Sequence, residues 1–100
     1  MLLTIELPEN DYTAKQTLTV TVKGHLKRED TGEEFWFLDG IVLMRQGKLI
    51  SCINVSLCKH KEEGFCLLLT HIKEEGFNFY VVNVESVSFV NSIPIPRLTP

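Results

Sequence analysis

The sequence predicts an all-β fold: a single antiparallel sheet of five to six strands in meander order, rolled like a barrel or a sandwich, with at most one short helix. Three observations carry this. Residues 17–26 alternate, with Leu18, Val20, Val22 and Leu26 on one side and Thr17, Thr19, Thr21, Lys23 and His25 on the other; period two with β-branched residues marks a half-buried antiparallel strand. Residues 34–57 hold the only Trp and the densest apolar run. Lys61-Glu62-Glu63-Gly64-Phe65 recurs twelve residues later as Lys73-Glu74-Glu75-Gly76-Phe77. Each copy is a charged turn that ends in Gly and opens a strand with Phe, at the spacing of one strand plus one turn.

The elements follow in chain order. Leu3, Ile5 and Leu7 share one side of a short first strand, which Pro8-Glu9-Asn10-Asp11 ends as a turn-forming cluster. A helical turn capped by Asp11 could occupy 11–16, and 56–63 is the other place for a short helix. After the strand at 17–26, the charged loop at 27–32 contains Asp30-Thr31-Gly32, a hairpin turn.

The central stretch admits two structures. Asp39-Gly40 could be a two-residue turn between the apolar runs 35–38 and 41–44, or a bulge in one long strand that turns at Arg45-Gln46-Gly47-Lys48. The long bent strand is preferred. A flat strand would bury Asp39 among Phe35, Phe37, Ile41 and Leu43, at a cost of several kcal/mol. A bulge turns Asp39 out and sets Trp36, Leu38, Ile41 and Leu43 on one face. Both faces of this stretch are apolar, which suits a covered central strand. In 49–57, alternation groups Leu49, Ile53, Val55 and Leu57 against Ile50, Cys52, Asn54, Ser56 and Cys58. The last strands are 65–72 and 77–90, the second with a phase shift near Val81-Val82. Pro94 and Pro96 exclude the end of the chain from a ladder, so residues 1–92 read as one β domain and 93–100 as an extended tail.

Composition bounds the function. One hundred residues, 44% hydrophobic and 23% charged, suit a soluble globular domain. The formal net charge of −3 argues against non-specific nucleic-acid binding. Cys52, Cys58 and Cys66 are odd in number and follow no secretory pattern, so free thiols in the cytoplasm are expected. No apolar run is long enough for a membrane helix.

Cys52, Cys58, His60, Cys66 and His71 invite a zinc reading, because zinc takes four thiolates or imidazoles at tetrahedral corners. Five residues separate Cys52 from Cys58, wider than compact sites use. The thiols read better as small apolar side chains, so no metal and no cofactor is expected. Cys58 and His60 lack any sign of an oxyanion hole, and no catalytic residues are assigned. P-loop, dinucleotide and His-Glu-x-x-His motifs are absent.

The expected function is a small cytosolic, non-catalytic protein-interaction module: an adaptor, regulator or inhibitor. It would bind a protein partner through sheet edges and through acidic turns at Glu62, Glu63, Glu74 and Glu75; its edges also admit homodimer pairing. The alternative is a single-stranded nucleic-acid-binding barrel of the oligonucleotide-binding type, using Trp36 with Lys23, Lys27, Arg28, Arg45 and Lys48. Acids interleave with those basic residues, so nucleic acid is the less expected partner.

Overall fold

Asp39-Gly40 bends a strand and does not reverse it. The computed structural model describes residues 1–11, 13–60, 62 and 64–90. Over these residues the chain forms β1 (Leu2–Leu7), β2 (Gln16–Lys27), β3 (Glu34–Leu38), β4 (Ile41–Arg45), β5 (Lys48–His60), β6 (Gly64–Lys73), β7 (Gly76–Asn83) and β8 (Ser86–Val90). All pairings are antiparallel in one sheet, in the order β7-β6-β5-β3-β2-β1-β8, and β4 continues β3 along the same edge of β5. The described residues contain no helix, so none is long and apolar enough to cross a membrane.

The β3–β4 ribbon keeps its register across the break. Leu38 faces Val55 and Ile41 faces Cys52, which leaves Asp39-Gly40 opposite Ile53-Asn54. Trp36, Leu38, Ile41 and Leu43 are all buried and Asp39 is exposed, as the bent strand predicts. The switch is shared with β5, where Asn54 takes a left-handed φ of 50°. Against β6, Asn54 and Val55 together oppose Leu69, a two-against-one bulge. Period-two alternation therefore fails in β5. Leu57 and Val55 are buried, whereas Leu49 is 70% and Ile53 42% exposed, and the core side passes to Cys52 and Ile50.

That backbone conformation is costly for a β-branched side chain. Asn54→Ile is expected to lower the unfolding free energy by about 1–3 kcal/mol, while Asn54→Gly keeps it within about 0.5 kcal/mol; urea titration of the two variants checks the difference.

Local chemistry explains the turns. Gln46 and Gly47 have φ of 49° and 76°, the two positive values a two-residue hairpin needs. Arg28 N–H donates to the Glu33 carbonyl, Gly32 N–H donates to the Arg28 carbonyl (both 2.8 Å), and Gly32 has a φ of 75°. Between β1 and β2 the expected helical turn is replaced by a knot of hydrogen bonds. Thr13 N–H donates to Asn10 Oδ1 (2.9 Å), and the buried Thr13 hydroxyl donates to the Pro8 carbonyl (3.1 Å). Gln16 then acts as a surrogate strand on β4: its amide donates to the Met44 carbonyl and accepts from Met44 N–H, each at 2.9 Å. The other proposed helix, at 56–63, is excluded over residues 56–60, which are strand.

Three expectations need correction. Among the described residues the strands number eight and the sheet is open, so the five- to six-stranded barrel does not hold in detail. Strand order is a meander from β1 to β7, but β8 returns to pair with β1. The long strand at 77–90 is two strands broken at Val84-Glu85, and β7 alternates without a phase shift at Val81-Val82. Glu85 N–H donates to the Glu6 carbonyl (2.8 Å), which anchors the crossing. The sheet rolls so that Phe89 of β8 meets Trp36 of β3 (5.2 Å between ring centroids) and Phe65 of β6 (6.2 Å). One core results, with Leu3, Ile5, Leu7, Leu57 and Leu67 fully buried. The proline-containing tail at 93–100 lies outside the described residues.

Candidate functional site

Two features remain after the core is assigned: an apolar outer face ending at β7, and a thiol–imidazole cluster.

The outer face follows from register. Phe37, Ser56, Leu68 and Val81 form one cross-strand row from β3 to β7, Ile53, Thr70 and Phe79 form the next, and Ile72 pairs with Phe77 beyond it. Phe77 is 71% and Phe79 59% exposed; Ile72, Val81, Val42 and Leu49 are exposed too. Single exposed apolar residues are ordinary, but a contiguous set of this kind marks an interaction surface. Among the described residues β7 pairs with β6 alone. From Gly76 to Asn83 it carries no charge and no Pro, so it lacks the residues that protect edge strands from pairing.

The cluster lies beside the β5–β6 turn. Cys58 directly faces Cys66 across the two strands, and His60, two residues on, projects to the same side. Cys58 Sγ lies 3.7 Å from His60 Nε2, and His60 Nδ1 lies 3.1 Å from Glu33 Oε2. One ligand atom from each of Cys58, His60 and Cys66 falls within 4.8 Å of the others. Burial first, then Cys66 and the Glu33 carboxylate, pushes the Cys58 thiol up to about 11. A thiol with a higher pKa folded than unfolded stabilises the fold while protonated. Stability is therefore expected to be complete below about pH 9 and to fall as pH rises through about 11; urea midpoints across that range, compared with Cys58→Ala, check it.

Cys52 and His71 face each other farther along the same strands. Burial raises the Cys52 thiol, and His71 Nδ1 lies 3.0 Å from the Ser51 carbonyl. The five metal-type residues of the sequence thus separate into a group of three and a pair.

The other predicted residues do not converge on one place. Glu62 is exposed beside the β5–β6 turn, and Glu74 and Glu75 are exposed at the β6–β7 turn. The length of β6 separates them, roughly 30 Å at strand rise. Glu63 lies outside the described residues. Trp36 is buried and offers no face for a base: His25 stacks on it at 5.1 Å, and Phe65 and Phe89 pack around it. Arg28 pairs with Asp30 (3.0 Å). Lys23 and Lys27 are exposed on β2. Arg45 and Lys48 lie at the far end of the ribbon, where with His71 and Lys73 they line a depression of about 350 Å³. Arg45 also donates to the Tyr80 hydroxyl (3.1 Å).

Two features depart from the sequence expectation: the stretch at 35–44, expected to be covered on both faces, is open on one at Phe37, Val42 and Met44, and Glu33 joins the thiol–imidazole cluster. The uncharged run at 76–83 was the available signal for the apolar outer face; nothing local marks Glu33. Comparison with protein-family models, curated proteins and solved structures finds no match.

Proposed function

We propose that this chain is a non-catalytic protein-interaction module that takes an extended segment of a partner protein onto the β7 edge as an added strand. The observation behind this reading is the uncharged outer strand β7, which pairs with β6 alone among the described residues, beside exposed Ile72, Phe77, Phe79 and Val81. Strand addition satisfies the edge N–H and C=O groups, and alternate partner side chains extend the apolar outer face.

Charge sets the partner's chemistry. Exposed Glu74 and Glu75 precede β7, and exposed Glu85 follows it. An apolar segment with Lys or Arg at both ends complements this edge. A second copy does not: antiparallel β7–β7 pairing about a two-fold axis brings Glu74-Glu75 of each copy toward Glu85 of the other. Cys52, Cys58 and Cys66 form no disulfide, which suits a partner met in a reducing compartment.

The test is titration of ¹⁵N-labelled protein with a peptide of alternating Val and Thr carrying two Lys at each end. Shift changes should concentrate in β7, Glu74, Glu75 and Glu85, with affinity falling about tenfold or more in Phe79→Lys and when Glu replaces the peptide's Lys. Silent β7 amides, or unchanged binding in Phe79→Lys, would contradict the reading. Sedimentation should give a monomer; a dimer abolished by Phe79→Lys would assign the edge to a second copy instead.

A further inference from the structure

We infer that Cys58, Cys66 and His60 form a binding site for a zinc-class divalent ion, with the Glu33 carboxylate orienting the imidazole. This site is built on β5 and β6 and does not depend on the strand-addition reading.

Geometry carries the inference. Zinc bonds of about 2.3 Å to sulfur and about 2.0–2.1 Å to nitrogen place tetrahedral sulfur and nitrogen ligands about 3.6 Å apart, and two sulfurs about 3.8 Å apart. Cys58 Sγ and His60 Nε2 are already 3.7 Å apart. Cys66 Sγ shares the 4.8 Å limit with both, so a side-chain rotation of about 1 Å closes the triangle. The backbone fixes the three positions. Cys58 and Cys66 are directly opposed in the ladder, and His60 follows Cys58 by one pleat on the same strand.

Glu33 supplies a second, independent observation. Its Oε2 lies 3.1 Å from His60 Nδ1. A neutral imidazole that donates Nδ1–H to this carboxylate presents the Nε2 lone pair to the thiols, the carboxylate–histidine arrangement that accompanies metal-ligating imidazoles. Two soft sulfurs and an imidazole favour zinc over magnesium or calcium. On binding, each thiol passes its proton to solvent as its sulfur–metal bond forms, and a water takes the fourth position. The ion would tie β5 to β6 beside the turn that joins them.

The test is Co²⁺ titration of the reduced, metal-free full chain. One equivalent should produce thiolate-to-cobalt charge transfer and the visible bands of a tetrahedral ion, and one equivalent of Zn²⁺ should erase both. Glu33→Gln should weaken binding by about 10–100-fold. His60→Ala and Cys66→Ser should remove the tetrahedral spectrum, with metal-free thermal unfolding showing that each variant still folds. Cys52→Ala and Phe79→Lys should leave the spectrum intact. Absence of a charge-transfer band in the reduced protein overturns the site, as does an unaltered spectrum in both His60→Ala and Cys66→Ser.

Discussion

Trp36→Ala is expected to remove about 3–5 kcal/mol of stability, a large share of the roughly 5–15 kcal/mol a domain possesses. The indole sits where the roll of the sheet brings three strands together: β3 carries it, β6 brings Phe65 to 5.9 Å and β8 brings Phe89 to 5.2 Å. His25 of β2 stacks on it at an interplanar angle of 14°, held by Glu34 at 2.9 Å from His25 Nε2. Truncation leaves a cavity where Phe89 of the returning β8 meets β3 and β6, so β8 should be the first element released. Hydrogen exchange should show protection falling further in β8 and β1 than in β5 and β6. As the only tryptophan, Trp36 also reports on itself: its emission should be blue-shifted and indifferent to added oligonucleotide.

The second large effect separates two leucines that alternation places together. Leu57→Ala should cost about 2–5 kcal/mol, and Leu49→Ala should stay within about 0.5 kcal/mol. Leu57 is fully buried between Trp36 and Leu67 in the ladder, whereas Leu49 lies beyond the Asn54 switch with most of its surface in water. An unbroken β5 would make the two costs alike. Urea unfolding of both variants decides between the two descriptions of the strand.

These leucines also show what was legible in the sequence. Alternation located β1, β2 as far as Val22 and the inward face of the β3–β4 ribbon, but a register shift between Val22 and Gly24 reverses the end of β2, setting His25 against Trp36 and leaving Leu26, expected on the inner side, exposed. The Gln46-Gly47 hairpin and the turn at Glu74-Glu75 were legible because their chemistry is local. Asn54 was not. It sits among side chains compatible with either face, and its left-handed backbone lies opposite the break at Asp39-Gly40 on the neighbouring strand. The β7–β8 break and the return to β1 were hidden for a related reason: they depend on contacts between the two ends of the chain, which no window on the sequence contains. The Cys58–Cys66 opposition was available in principle. Centring the hairpin turn on Glu62 places the two residues face to face.

The phase switch in β5 puts Leu57 inside and turns Leu49, Ile53 and the β6–β7 apolar face outside. Methyl relaxation by a soluble paramagnetic agent measures this directly. Leu49, Ile53, Ile72 and Val81 should broaden strongly while Leu57, Leu67, Leu69 and Val82 stay sharp. Equal protection of Leu49 and Leu57, or Ile72 and Val81 as sharp as Leu67, would contradict it.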